Sequence, residues 1–90
     1  MGFVFFMAYF TYIIYSESCN KFYIGSTSDP LEERIRKHNS NHSGFTARAN
    51  DWYLVYKEEF ATKTMALKRE IEIKGWKSRK RIEILISSVE

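Results

Sequence analysis

The chain has 90 residues, 44% of them hydrophobic and 17% aromatic, with a formal net charge of +3. That length holds one domain with a single modest core, and the apolar and aromatic content excludes a disordered chain. Mean hydropathy is too low for a membrane protein, and the lone Cys19 has no internal disulfide partner and no Cys or His neighbours at zinc-ligand spacing, so the expectation is a cytoplasmic protein without a membrane partner.

Met1 to Tyr15 is almost continuously apolar, but it lacks a basic leader and a small-residue cleavage site. It is also shorter than the ~20 residues that a spanning helix needs, so a buried strand is expected. Phe6 stands where a myristoylation signal wants Ser or Thr. Met7 offers an alternative start, which leaves Gly2 to Phe6 as an extension without a role.

Tyr9 to Tyr15 is rich in β-branched and aromatic residues and stops at the turn-forming Ser16-Glu17-Ser18-Cys19-Asn20; Phe22 to Ser26 resumes as a strand, predicting an antiparallel hairpin. Asp29-Pro30-Leu31-Glu32 predicts a helix start, with Asp29 as N-cap, Pro30 at the first helical position and Glu32 completing a capping box. The helix should run to about Asn39, with Leu31 and Ile35 buried and Arg34 and His38 on an adjacent face. Asn39 to Asp51 reads as a loop carrying Phe45, Thr46, Arg48 and Asn50, groups able to stack and hydrogen-bond or to pack over the sheet. Trp52 to Phe60 follows as a strand with Trp52, Leu54 and Tyr56 on one face. Thr62 caps a helix through about Lys74, Gly75 is placed to end it in a left-handed conformation, and Ser78 caps a third helix with Ile82, Leu85 and Ile86 as its apolar stripe. The expected fold is thus α/β of the α+β kind, β-β-α-β-α-α, a three-stranded antiparallel sheet flanked by helices in one domain over residues 1–90, with its core at about 9–86.

Seven of the fourteen basic side chains fall between Lys68 and Arg81, namely Lys68, Arg69, Lys74, Lys77, Arg79, Lys80 and Arg81, and Trp76 interrupts them. A cluster of that kind suits a phosphate backbone, although a solvated helical face has the same composition. Glu70 lies in the sector of the second helix that also holds Ala66, Leu67, Ile71, Ile73 and Lys74, where a carboxylate is costly unless paired or bound to a cation. Pairing with Lys74 at i+4 is the plain alternative, worth ~0.3 to 0.5 kcal/mol.

Taken in order, Tyr12, Tyr23-Ile24-Gly25, Arg34, His38, Glu70 and Ile73-Lys74 resemble the GIY-YIG nuclease superfamily over about residues 9 to 86, and most of all its small stand-alone bacterial members. The second motif is intact, while Phe10-Thr11-Tyr12 stands where Gly-Ile-Tyr would be and keeps only the tyrosine. The resemblance implies a divalent-metal-dependent DNA endonuclease, with Mg²⁺ or Mn²⁺ anchored by Glu70 and the scissile phosphate held by Arg34. It implies that Tyr12 or Tyr23 orients or activates the attacking water and that His38 assists proton transfer, with His42 a weaker candidate. Gly25, Ser26, Thr27, Arg48, Lys74, Lys77, Arg79, Lys80 and Arg81 are the candidate DNA-binding residues. A binding module without turnover, or one subunit of a repair complex served by a separate targeting protein, remains an alternative.

Overall fold

A computed structural model describes residues 8–40 and 43–89. The alternative start at Met7 and the candidate base His42 lie outside the described residues. The described residues form an α+β fold: β1 (Tyr9–Ser16), β2 (Lys21–Thr27), α1 (Leu31–Asn39), a 3-10 turn (Phe45–Arg48), β3 (Tyr53–Phe60), α2 (Lys63–Gly75) and α3 (Arg79–Ser87). The sheet is antiparallel in the order β2-β1-β3, so the strand carrying Tyr12 is the central one.

Strand alternation sends successive β1 side chains to opposite faces, and each face has its own core. Ile13 joins Ile24, Tyr56, Ile73 and Ile82 beneath α2 and α3. Tyr12 and Ile14 join Trp52, with Leu31 and Ile35 of α1 packed against them. Ile13, Ile14 and Ile73 are fully buried, and each contributes about 1.5 to 3 kcal/mol through removal of apolar surface from water. Leu85 and Ile86 pack against the α2/α3 core beside Ile82, as the third helix's stripe predicts.

Four local expectations are corrected. The helix α1 starts one residue late: Pro30 is its N-cap, with ψ 139° and no side-chain cap bond. Asp29 instead donates its backbone N–H to Thr27 Oγ1 at 2.9 Å and pairs with Lys37 at 3.4 Å. Tyr56 does not share a face with Trp52 and Leu54. Ile13 pairs with Tyr56 but Ile14 pairs with Leu54, so Val55 is an extra residue in a bulge that shifts the alternation of β3. In α2 the buried residues are Ala66 and Ile73, while Leu67 and Ile71 are 44% and 60% exposed. Gly75 ends α2 without the left-handed turn; the reversal is taken at Lys77, with φ 49°. The other two predicted side-chain caps are made, Thr62 accepting from the Met65 N–H and Ser78 from the Arg81 N–H, each at 3.2 Å.

Candidate functional site

Thr11 and Tyr12 tie the central strand to a helix on each face. Thr11, fully buried, donates to the carbonyl of Ala66 at 2.6 Å, one helical turn before Glu70. Arg69 adds a second tie between α2 and the sheet through Glu58 of β3 at 2.8 Å. Tyr12 points the other way. Its hydroxyl lies 2.6 Å from His38 Nε2 and 3.4 Å from Arg34 Nε, the two α1 residues one turn apart.

Gly25 makes this crossing possible. It pairs with Tyr12 across the hairpin and so shares its face, and a Cβ there would stand 2.5 Å from Tyr12 Oη and 2.7 Å from Cζ. The glycine of Tyr23-Ile24-Gly25 therefore provides the space in which the Tyr12 ring lies across β2 on its way to α1. Its local role is to admit a side chain, a use apart from the DNA binding for which the resemblance offered it.

The hydrogen-bond directions follow from chemistry. A guanidinium only donates, so Tyr12 Oη accepts from Arg34, and the phenol proton goes to His38 Nε2. His38 Nδ1 then carries its proton and donates to Thr46 Oγ1 at 3.0 Å. Thr46 is itself fixed, because its carbonyl accepts the Trp52 indole N–H at 2.9 Å. Trp52 is in turn held to the end of α1 by Asn39, which accepts from the Trp52 N–H at 2.7 Å and donates to the Trp52 carbonyl at 3.0 Å. These bonds tie Thr46 and Trp52 to the end of α1, which accounts for the burial of a threonine and a tryptophan there.

Burial and Arg34 set the protonation states. Burial pushes the Tyr12 phenol up to about 12, with the opposing hydrogen bond and charge of Arg34 outweighed and Glu70 adding a small rise. Burial, helped by the charge of Arg34, lowers His38 to about 4. The bond to Tyr12 raises Arg34 above its ordinary value, so it remains a cation. Near neutral pH the row is thus Arg34⁺, neutral Tyr12, neutral His38, with every proton assigned. Tyr12 is 0% exposed and His38 6%, which suits both to holding Arg34 in place.

Arg34 borders two surface cavities, of about 230 Å³ with Tyr9, Ser26, Thr27, Asp29 and Lys63, and of about 360 Å³ with Lys37, His38 and Ser40. With Nε engaged by Tyr12, its terminal nitrogens keep four N–H donors. Its neighbours Glu33 and Arg36 pair with each other. Tyr23, half-buried, faces α1 with its ring 4.9 Å from His38. Lys74 reaches the same ring, its Nζ 5.6 Å from the centroid, while bonded to Glu70 Oε2 at 2.7 Å. Tyr12, Tyr23, Arg34, His38, Glu70 and Lys74 are therefore brought together at the β2 edge, although Glu70 and Arg34 come from helices on opposite faces.

The basic run after Gly75 is not part of this group. Arg79 donates to the carbonyl and side chain of Asn20 at 2.8 and 2.7 Å, and lies over the rings of Phe22 and Tyr15. It fastens α3 to the β1–β2 turn, whose Asn20 has φ 53°. Arg81 lies 4.4 Å over Trp76. Lys77 lies in the link between α2 and α3, and Lys80 and Arg81 in the first turn of α3. Thr27 Oγ1 shapes the turn into α1, and Ser26 lines the smaller cavity. Thr11 is a residue that sequence reasoning missed, its hydroxyl tie to α2 showing only in the fold; Thr46, named from sequence only as a loop group able to hydrogen-bond or pack, is the one that holds His38.

Among the described residues no three His, Cys, Asp or Glu side chains come together as a metal cluster, and no helix is long and apolar enough to cross a membrane. A single carboxylate at the rim of a solvent-exposed group does not suit zinc, which wants three or four protein ligands, but it fits a hard divalent cation that keeps most of its water. Glu70, with its side chain 15% exposed, is such a carboxylate.

Comparison with known proteins gives a consistent result. Residues 8–83 match the GIY-YIG catalytic domain. A UPF0213 protein of Staphylococcus saprophyticus is 39% identical over 75 residues, covering 80% of this chain and 90% of that protein. A UPF0213 protein of Staphylococcus aureus is 34% identical over 79 residues, 87% and 94% of the two chains. Among solved structures, the solution NMR structure of a UPF0213 protein from Bacillus halodurans aligns with a TM-score of 0.55 at 30% identity, over 90% of this chain and 84% of that one.

Proposed function

We propose, given that the chain belongs to the GIY-YIG family, that it is a divalent-metal-dependent endonuclease that hydrolyses DNA phosphodiesters in repair or processing of DNA. The domain it forms is a single catalytic unit. The observation that carries the reading is the convergence of a held arginine, an accessible phenol and a carboxylate–lysine pair at one sheet edge. Arg34 grips the scissile phosphate through its terminal nitrogens and stabilises the charge that gathers on the phosphoryl oxygens during attack. Tyr12, His38 and Thr46 keep the guanidinium in register. A fixed donor gains most from this, because no reorganisation is needed as charge develops.

The two tyrosines divide the work. Deprotonating Tyr12 toward His38 spans the interval between about 12 and about 4, on the order of 10 kcal/mol, so a resting phenolate is not populated and Tyr12 acts as a positioning residue. Tyr23, with solvent access and Lys74 beside it, orients the attacking water. Glu70 would hold the divalent cation, which when bound supplies positive charge against the phosphate and the attacking oxygen. Lys74 keeps the carboxylate aimed and adds charge toward DNA, joined by Arg48.

The test is incubation of the protein with single-stranded, duplex, flapped and branched DNA, with Mg²⁺, with Mn²⁺ and with chelator. Metal-dependent cleavage of at least one substrate, lost in Arg34→Ala, is expected. Binding without any cleavage under all conditions would reduce the protein to a DNA-binding module.

A further inference from the structure

Beside the row from Arg34 to Thr46 runs a strip of alternating chemistry. Lys74 stands over Tyr23, the Tyr23 and Phe45 rings stack at 6.0 Å with 29° between their planes, and the Arg48 guanidinium lies 4.3 Å over Phe45. The order is cation, ring, ring, cation. Phe45 also touches Trp52, at 6.2 Å and 46°, yet it stays 37% exposed. The 3-10 turn Phe45–Arg48 holds ring and guanidinium together, and Thr46 within it is anchored by Trp52 and His38, so the strip is set at a fixed distance from the site.

Lysine and arginine alone suffice to hold a duplex, whose bases are stacked inside and whose phosphates face outward. Aromatic faces and guanidinium planes gain from bases only when these are unpaired, and then serve any base, since each has a π-face. We propose that Tyr23, Phe45, Arg48 and Lys74 form a stacking strip for an unpaired DNA strand, so that the substrate is single-stranded DNA or DNA with an unpaired stretch at the cleavage point. This inference rests on the reading of the adjoining site as a phosphodiester hydrolase. Tyr23 already carries Lys74 and Phe45, so an unpaired base stacks at the open end of the strip, on the exposed Arg48 plane or in its place on Phe45, and the strand runs from there past Tyr23, whose ring is 4.9 Å from that of His38, toward Arg34. The phosphates flanking Phe45 meet Arg48 and Lys74.

The experiment measures binding in chelator, where no cleavage intrudes, of a labelled oligothymidylate and of a blunt duplex of equal length. The wild type should prefer the single strand. Phe45→Leu should weaken single-strand binding roughly 5- to 100-fold, the worth of one stacked base, and Phe45→Tyr, which keeps the ring, should restore it. Arg48→Gln, on an exposed side chain, should weaken it too and flatten its salt dependence, and this arm decides the matter if Phe45→Leu does not fold. Equal affinity for the two DNAs, or single-strand binding unchanged in folded Phe45→Leu and in Arg48→Gln, overturns the proposal. Ring-dependent single-strand binding with no cleavage in Mg²⁺ or Mn²⁺ upholds the strip and sinks the hydrolase reading. Cleavage of duplex as fast as of single strands, in wild type and Phe45→Leu alike, does the reverse.

Discussion

Gly25→Ala should disable the site while adding a single methyl group. The new Cβ would lie 2.5 Å from Tyr12 Oη and 2.7 Å from Cζ, so the ring must retreat by about 1 Å to reach ordinary contact distance. The retreat pulls the phenol away from His38 Nε2, now at 2.6 Å, and from Arg34 Nε, already at 3.4 Å. Overpacking costs about 1 to 3 kcal/mol, and loss of the buried phenol–imidazole bond costs a further ~1 to 3. Alanine's better strand preference returns only ~0.5 to 1. The net loss, about 3 kcal/mol at the middle of these ranges, is large against the roughly 5 to 13 kcal/mol expected of a 90-residue domain, and it should be read in urea denaturation at neutral pH. In a Tyr12→Leu background the same methyl meets no phenol and should cost little, which isolates the contact as the cause. A Gly25→Ala protein as stable and as active as wild type would refute this role for the glycine.

Arg34→Ala should lower DNA cleavage by ~10² or more with the fold intact, and Arg34→Lys should not rescue it, because an ammonium lacks the fork and the Nε that meets Tyr12; near-normal cleavage removes Arg34 from the mechanism. His38 makes stability depend on pH: the folded state holds its pKa at about 4, below the ~6.5 of an unfolded histidine. The unfolded chain therefore takes up the proton first. Stability from this group is full above pH 6.5 and declines by an amount on the order of 2 kcal/mol as pH falls to 4; urea midpoints across that range should show the decline in wild type and not in His38→Gln, and identical slopes would contradict it. Arg79→Gln should lower stability by roughly 1 kcal/mol through its bonds to Asn20 and leave the salt dependence of DNA binding unchanged. A flatter salt dependence at unchanged stability would return Arg79 to the DNA-binding surface.

Element order, strand pairing and two of the helix caps were legible because each rests on local chemistry: β-branched runs, turn residues, and Thr62 and Ser78 ahead of helical stripes. The Val55 bulge was not, since the residue is an ordinary strand former and only pairing with β1 exposes the extra position. Leu67 and Ile71 misled in the same way. A helix of mixed pattern does not say which arc meets the sheet, and Thr11 and Arg69 turn α2 so that Glu70 lies between the buried Ala66 and Ile73. The site residues could be named from motif order, but their division of labour depends on burial. Tyr12 and Tyr23 look equivalent as strand tyrosines, and they separate only when one is enclosed by α1 and the other left at the edge. The basic run after Gly75 showed composition without direction, and Arg79 proves to hold a turn.

Metal-supported hydrolysis at the Glu70 edge is the central claim, and Glu70→Gln tests it most directly. The amide preserves the side chain's volume and can still meet Lys74, while it is a much poorer ligand for a hard cation. Cleavage of a single-stranded and a flapped DNA should be followed across Mg²⁺ and Mn²⁺ titrations, with DNA binding measured in chelator alongside. The account predicts a folded variant that binds DNA almost as wild type does and cuts at no metal concentration; cleavage at the wild-type rate throughout both titrations would contradict it.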